Sequence, residues 1–224
     1  MAITERQKNI LERIVEEYIN EARPISSQFL EKKYDFGVSS ATLRNEMLSL
    51  SRKGFLEKPF ASSGRVPTDK GYRFFVDETL QKPQKHLDRG VESIESTWHL
   101  AKKLASLSSS LVAVYLEGED LIFKEGWEDL LEEPEFEHQS SIKSFAKLLD
   151  DFENNIEDFS LTNGIQVFIG KEVPFSRIKD FSIMISECEF AGNEKGIVAF
   201  LGPKRMEYPK NINILNAWTK QLKN

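Results

Sequence analysis

Residues 39–65 concentrate arginine, asparagine and hydroxyl side chains whose chemistry suits contact with a nucleic acid. Arginine can donate two hydrogen bonds to guanine, and asparagine can pair in a similar way with adenine. Hydroxyl groups and further arginines can hold phosphates or enter the minor groove. These patterns predict a set of DNA-binding residues: Ser39, Ser40, Thr42, Arg44, Asn45, Arg52, Ser63 and Arg65.

A helix that begins after Ser39 would position most of these side chains. Serine is a favoured N-cap, and the spacing of Leu43, Met47 and Leu50 turns one face of this helix toward a core. The polar residues then lie on the opposite face. Gly54 ends the helix, at a position suited to a positive φ.

The flanking sequence predicts the rest of a small DNA-binding domain. One helix spans Thr4 to about Glu21, with Thr4 as its cap, and a second begins after Pro24 with Ser26 as its cap. A hairpin follows the third helix, with strands at 55–58 and 65–67 and a tip at 61–64. Three helices and a hairpin indicate a winged helix-turn-helix over residues 1–80. A three-helix protein-interaction domain with a basic face is the alternative.

The charge distribution favours DNA as the partner of this front region. The chain of 224 residues has a formal net charge of -6. Residues 1–76, however, carry 13 Lys and Arg against 10 Asp and Glu, whereas the remainder carries 17 against 26. A basic front and an acidic back predict two modules with different partners.

The composition excludes several other classes of protein. Hydrophobic residues make up 40% of the chain, charged residues 29%, and the mean hydropathy is -0.42. With 16 Phe and 3 Trp, this indicates a folded chain rather than a disordered one. The charged N-terminus is unlike a signal peptide, and the sequence contains no apolar run long enough to cross a membrane. A single cysteine excludes a disulfide framework. We therefore expect a cytoplasmic protein with no membrane partner.

The middle of the chain predicts a linker helix over residues 81–110. Leu87, Val91, Ile94 and Trp98 follow an approximate heptad spacing, typical of a helix that pairs with a second copy. The same spacing also suits a helix that packs on the next domain. The sequence leaves these two interpretations open.

Residues 111–224 alternate strands and helices. Five strands with helices on one face indicate an α+β domain, with an antiparallel sheet of five or more strands. The predicted strands are 111–116, 121–124, 165–169, 181–190 and 196–202. A final helix begins near Pro209.

The sequence offers little enzyme chemistry. His86, His99 and His138 do not have the spacing of a metal cluster. Cys188 lies in a predicted strand, where a small buried side chain is the usual role. Residues 202–205, Gly-Pro-Lys-Arg, could bind an anion or dock the last helix against an acidic neighbour. We predict neither a catalytic residue nor a metal site, and no cofactor.

Several long stretches resemble one bacterial family. PISSQFLEKKYDFGVSSATLRNEM and SSGRVPTDKGYRFFVD are similar to the N-terminal domain of the HrcA heat-inducible transcription repressors. FKEGWEDLLEEPEF, GIQVFIGKEV and LGPKRMEY resemble the GAF-like domain of the same family. Almost nothing separates LIFK from GWEDLLEE, where typical members carry an inserted dimerisation segment. The chain therefore resembles a shortened member.

The resemblance implies a repressor that binds an inverted-repeat operator, the CIRCE element, ahead of chaperone genes. It also implies a homodimer, loss of repression on heating, and a chaperonin partner that restores activity. Two alternatives remain. One is a regulator of the same ancestry with a different operator and a small-molecule effector in the GAF-like domain. The other is a winged-helix module for protein contacts.

Overall fold

The computed structural model describes residues 3–82, 97–118, 121–159, 164–190 and 194–221. The chain divides into two compact units, Met1–Gln81 and Lys82–Asn224. The elements of the first unit are α1 (Glu5–Glu21), α2 (Ser27–Lys33), α3 (Ser40–Arg52), β1 (Leu56–Glu57), β2 (Val66–Pro67) and α4 (Asp69–Gln81).

The three predicted helix caps of the first unit are confirmed. Thr4 forms a capping box, in which its hydroxyl accepts from the backbone N of Gln7 at 3.2 Å and the Gln7 side chain accepts from the backbone N of Thr4. Ser26 accepts from Phe29 N at 3.1 Å, and Ser39 caps α3 in the same way. Each cap pairs a backbone N–H that has no partner within its helix.

The core of the first unit is built from one face of each long helix. Burial of these apolar side chains provides most of the stabilisation that holds the helices together. The buried members are Ile10, Leu11, Ile14 and Val15 of α1, Leu43, Met47 and Leu50 of α3, and Tyr72, Phe75 and Val76 of α4.

A buried carboxylate joins α1 to the end of α2. Glu17 is 2% exposed, and Lys33 Nζ donates to its Oε2 at 2.6 Å while the Tyr34 hydroxyl donates to Oε1. Burial disfavours the charged form of Glu17, but the hydrogen bonds from Lys33 and Tyr34 outweigh that penalty, so its pKa is lowered. Burial, and then the hydrogen bond to Glu17, raise the pKa of Tyr34 to about 12.

The hairpin is shorter than the sequence predicts, and a third segment extends it. β1 and β2 pair antiparallel over two residues each. Ile25, which precedes α2, bridges Arg65 through two backbone hydrogen bonds of 2.8 and 2.9 Å. A Cβ on Gly64 would overlap the carbonyl oxygen of Ile25, so a glycine permits this close approach.

The second unit is built on one antiparallel sheet, in the spatial order β4-β3-β7-β6-β5. Its strands are β3 (Leu111–Leu116), β4 (Leu121–Glu125), β5 (Gln166–Ile169), β6 (Phe181–Phe190) and β7 (Glu194–Pro203). Its helices are α5 (Thr97–Ser108), α6 (Trp127–Leu131), α7 (Gln139–Asn154) and α8 (Tyr208–Gln221), with short 3-10 helices at Pro134–Phe136, Ile156–Asp158 and Gly170–Glu172. The five-stranded antiparallel sheet and the α+β class are as predicted.

Helices cover both faces of this sheet, so the expectation of helices on one face is wrong. Ile183 belongs to the core cluster that contains Phe145 and Leu148 of α7. Its neighbour Ser182 points the opposite way, as successive strand residues do, and its hydroxyl lies 2.9 Å from that of Tyr208 in α8. Helix α8 therefore packs on the face that α7 leaves free.

Of the predicted linker helix, the structure describes only α5. Three residues of the heptad seam, Leu87, Val91 and Ile94, lie outside the described residues. Trp98 is 41% exposed, and its indole N–H donates to Glu125 Oε1 at 2.5 Å. No helix within the described ranges is both long and apolar enough to span a membrane.

Candidate nucleic-acid interface

The N-terminus of α3 is fixed by hydroxyl groups against α2. The hydroxyls of Ser39 and Thr42 lie 3.3 Å apart at the first turn. Ser40 donates from its backbone N to Glu31 Oε1 at 2.7 Å, and from its hydroxyl to Ser27 Oγ at 3.1 Å. These contacts set the angle between the two helices, so Ser40 has a positioning role.

One flank of α3 is tied to α1, which orients the helix. Gln7 Nε2 donates to Glu46 Oε2 at 2.8 Å and to Ser49 Oγ at 3.2 Å. Arg44 lies on the other flank, near the positions of Met47 and Ser51, because residues three, four and seven apart share a side of a helix.

The three predicted base-reading or phosphate-binding residues of α3 are open to solvent. Arg44, Asn45 and Arg52 are all exposed. Within the described part of the chain, the side chains of Arg44 and Arg52 form neither a hydrogen bond nor an ion pair. Their positive charges are therefore available to an external anion.

A groove separates α3 from the hairpin tip and the start of α2. Its volume is about 340 Å³. Three cations line it, Arg44, Lys58 and Arg65, and its lining contains no carboxylate. The full lining comprises Ser26, Ser27, Gln28, Arg44, Met47, Lys58, Ala61, Ser62, Ser63, Gly64 and Arg65. Such a groove attracts a polyanion, because no internal acid neutralises it.

Arg65 lines the groove but is also held by its own unit. Its Nε donates to Ser51 Oγ at 3.0 Å, and its Nη1 donates to the carbonyl oxygen of Gly64 at 3.4 Å. A guanidinium has five N–H groups, so donors remain for a phosphate. The hydrogen bond to Ser51 connects the hairpin to the end of α3.

Ser63 organises the hairpin tip. Its hydroxyl donates to the carbonyl oxygen of Phe60 at 2.8 Å and accepts from the backbone N of Phe60 at 3.3 Å. The backbone N of Ser63 also donates to that carbonyl at 3.0 Å. Ser63, which was predicted to contact phosphate, therefore lines the groove and also closes the hairpin turn.

The structure brings together only part of the predicted set. Arg44, Ser63 and Arg65 line the groove, whereas the other five predicted residues lie outside its lining. Lys58 and the start of α2 also line the groove but were not among the predicted site residues. The excess of cations around the hairpin was the sequence signal that could have identified Lys58. The start of α2 lies beside the hairpin because Ile25 bridges Arg65, and a single bridge leaves no periodic pattern in the sequence.

The second unit contains a smaller and acidic pocket. It has a volume of about 290 Å³ and is lined by Tyr115, Glu117, Ile156, Glu157, Phe159, Glu187 and Ile197. The Tyr115 hydroxyl donates to Glu157.

The described residues contain no group of histidine, cysteine and carboxylate side chains that could hold a metal ion. Burial raises the pKa of Cys188 to about 12, so the thiol stays protonated at neutral pH.

The turn at 202–205 docks against acids rather than presenting free cations. Arg205 donates to Glu135 from Nε at 2.7 Å and from Nη2 at 2.9 Å, and Nη2 also donates to Glu133. Its side chain is 9% exposed. Burial alone would lower the pKa of Arg205, but the hydrogen bonds and charges of the two glutamates outweigh it and raise the pKa.

The family model described as "HrcA protein C terminal domain" matches residues 73–212. The chain belongs to the HrcA family. The two family-like motifs LEEPEF and LGPKRMEY, which carry Glu133, Glu135 and Arg205, are thus joined directly in the second unit of this member.

Relatives named "Heat-inducible transcription repressor HrcA" match nearly the whole chain. The protein from Natranaerobius thermophilus is 27% identical, over 96% of this chain and 94% of its own. The protein from Thermoanaerobacter sp. is also 27% identical, over 100% of this chain and 97% of its own. A crystal structure titled "hypothetical protein" shares the fold, with a TM-score of 0.81 and 21% identity over 98% of this chain and 96% of that one.

The HrcA relatives are longer than this chain within the aligned region. The alignment with the Thermoanaerobacter protein runs over 335 positions, against 224 residues here. About a third of the aligned positions therefore have no residue of this chain opposite them. This agrees with the expectation of a shortened member.

Proposed function

We propose that this chain is a DNA-binding transcriptional repressor that controls heat-shock genes. The observation that carries the proposal is the groove beside α3, where Arg44, Lys58 and Arg65 converge without an opposing carboxylate. Membership of the HrcA family, whose relatives are named heat-inducible repressors, supports the same function.

In this proposal the first unit is a winged helix-turn-helix. Helices α2 and α3 form the helix-turn-helix, α3 enters the major groove, and the β1–β2 hairpin is the wing. Arg44 and Asn45 read base edges, while Ser39, Thr42 and Arg52 contact the backbone near the same helix. Arg65, Ser63 and Ser40 hold the wing and the helix in place, and Arg65 also binds phosphate.

The second unit is proposed to be a GAF-like domain. Numbered within the unit, its strand order is second, first, fifth, fourth, third, with helices on both faces. Its acidic pocket has three glutamates and no cation in its lining, which does not favour an anionic effector.

The operator and the oligomer are proposed together. An inverted-repeat operator of the CIRCE type requires two copies of the first unit related by a two-fold axis. We infer a homodimer on this ground, with the seam of Leu87, Val91, Ile94 and Trp98 as its candidate surface. The alternative is that the seam packs on its own chain. Sedimentation with and without duplex tests the dimer, and the chaperonin partner stays a prediction from the family resemblance.

Arg44→Ala tests the proposed function. The probes are a duplex selected by the wild-type chain from a random-sequence pool and an unselected duplex of equal length. Losing one base contact costs about 1–3 kcal/mol of discrimination, so we expect the selected duplex to lose far more affinity than the unselected one.

Arg177→Ala is the matched control, since Arg177 is an exposed arginine of the second unit. It should bind both duplexes as the wild type does. Equal losses on both duplexes for Arg44→Ala would reduce Arg44 to a phosphate contact. A wild-type chain that selects no sequence from the pool would contradict the proposed function itself.

A further inference from the structure

Phe60, at the tip of the hairpin, has an exposure that the fold of the first unit does not explain. Its side chain is 60% exposed, more than any other large hydrophobic side chain among the described residues. Its ring forms no aromatic or cation–π contact in the part of the chain that the structure describes. Phe60 does not belong to the buried core of its unit.

Hydrogen bonds within the turn hold the backbone of Phe60, whose ring is exposed to solvent. The backbone N and the carbonyl oxygen of Phe60 are both hydrogen-bonded to Ser63. Lys58 Nζ donates to the carbonyl oxygen of Ala61, which closes the other side of the tip. Presenting the ring to a partner therefore costs little backbone conformational entropy beyond that already lost on folding.

The surroundings of Phe60 favour a polyanion over an apolar protein surface. The segment 58–65 contains two cations, Lys58 and Arg65, and no carboxylate. Both cations line the groove beside α3, together with the tip residues 61–64. An exposed apolar ring in a basic segment that borders this groove matches the side chains that wedge between base pairs in the minor groove.

We propose that Phe60 inserts between two base pairs of the minor groove next to the site contacted by α3. The inference rests on the proposed function, because it needs the first unit to bind duplex DNA. Insertion unstacks one base step and kinks the duplex by about 20–90°. Pyrimidine–purine steps unstack most easily, so Phe60 makes the chain prefer such a step at a position where no hydrogen bond reads a base.

The test uses the full chain and the duplex that it selects from a random pool. 2-Aminopurine replaces adenine at one position at a time, since its fluorescence rises when a base is unstacked. We expect the wild type to raise the fluorescence at one step and Phe60→Ala to abolish that rise. Phe60→Ala should also weaken binding by about tenfold. Phe60→Leu, which keeps an apolar wedge, should restore part of both effects.

Phe175→Ala is the control, because Phe175 is a 52% exposed phenylalanine of the second unit. It should leave the fluorescence and the affinity unchanged. An unchanged affinity and an unchanged fluorescence profile for Phe60→Ala would overturn the inference while leaving the proposed function intact. Altered self-association in sedimentation, with DNA binding unaffected, would also overturn it and assign the ring to a protein contact. Failure of the wild type to bind any duplex would instead refute the proposed function.

Discussion

Arg44 and Arg205 have the same side chain in opposite surroundings. Arg44 is exposed on α3 and has no ion pair within the described residues. Arg205 is 9% exposed and is held by Glu133 and Glu135. In the first unit a cation remains available to an external anion, whereas in the second unit a cation is neutralised by the fold.

The difference shows how a basic residue can be assigned to binding or to stability. Both arginines lie in segments that resemble the HrcA family, so the resemblance alone does not separate their roles. The partners do separate them. A bidentate pair of guanidinium and carboxylate uses the donors that a phosphate would need, so Arg205 is structural and Arg44 is a candidate for DNA contact.

Removing Arg205 should give the largest effect on stability. Arg205→Ala leaves two glutamates without their partner, and we expect a loss of roughly 2 kcal/mol in the free energy of unfolding, reduced from the value for a fully buried pair because the carboxylates are partly exposed. Chemical denaturation measures it. Arg205→Lys should recover only part, since lysine cannot form the bidentate pair. If Arg205→Ala lowers the free energy of unfolding no more than Arg177→Ala does, Arg205 has no structural role that would distinguish it from Arg44.

Acid should weaken the first unit through Glu17. Its lowered pKa means that the folded chain binds this proton less readily than the unfolded chain does. The stabilisation is therefore present above the ordinary carboxyl value of 4.5 and is lost as the pH falls through the lowered value.

Glu17→Gln should remove this acid dependence and cost about 1–2 kcal/mol at neutral pH. Urea titrations followed by the methyl NMR signal of Ile14, which is buried in α1, measure it. At high pH, the raised pKa of Tyr34 predicts that stability is lost as the pH rises toward about 12. An identical acid profile in wild type and Glu17→Gln would exclude Glu17 as its source.

Substituting Arg65 should have a smaller effect, and that effect should be on DNA affinity. Like Arg44 it faces the groove, and like Arg205 it is hydrogen-bonded within its own unit. Arg65→Ala should weaken binding to all duplexes similarly and flatten the salt dependence by about one unit. Ser51→Ala is the control, since it removes the hydrogen bond from Arg65 but keeps the charge. A flattened slope in Ser51→Ala as well would assign the effect to the position of the hairpin rather than to charge.

Local sequence signals predicted many elements of the fold closely. Strand 111–116 appears with the predicted bounds because an apolar run lies between a serine cluster and a polar turn. The three caps and the positive φ of 79° at Gly54 follow from side-chain chemistry within a few residues. These features depend on residues that are close together in the chain, so a single sequence is enough to predict them.

Features that depend on distant residues could not be predicted. Glu135 and Arg205 are 70 residues apart, so the sequence left the turn at 202–205 open between two roles. The Ile25 bridge to Arg65 is one residue long and has no periodicity. Arg44 was predicted as a site residue from the amphipathic pattern of α3, whereas Lys58 and Phe60 depend on how the hairpin tip is turned.

Hydrogen exchange of the full chain, with and without its selected duplex, tests the central claim most directly. If the groove beside α3 holds DNA, the amides of the first turns of α3 and of residues 58–65 exchange more slowly in the complex. The amides of strands β3, β6 and β7 then exchange as in the free chain, because the account places no DNA contact on the sheet of the second unit. Protection confined to the second unit, or no protection in 39–65 at saturating duplex, would contradict the account.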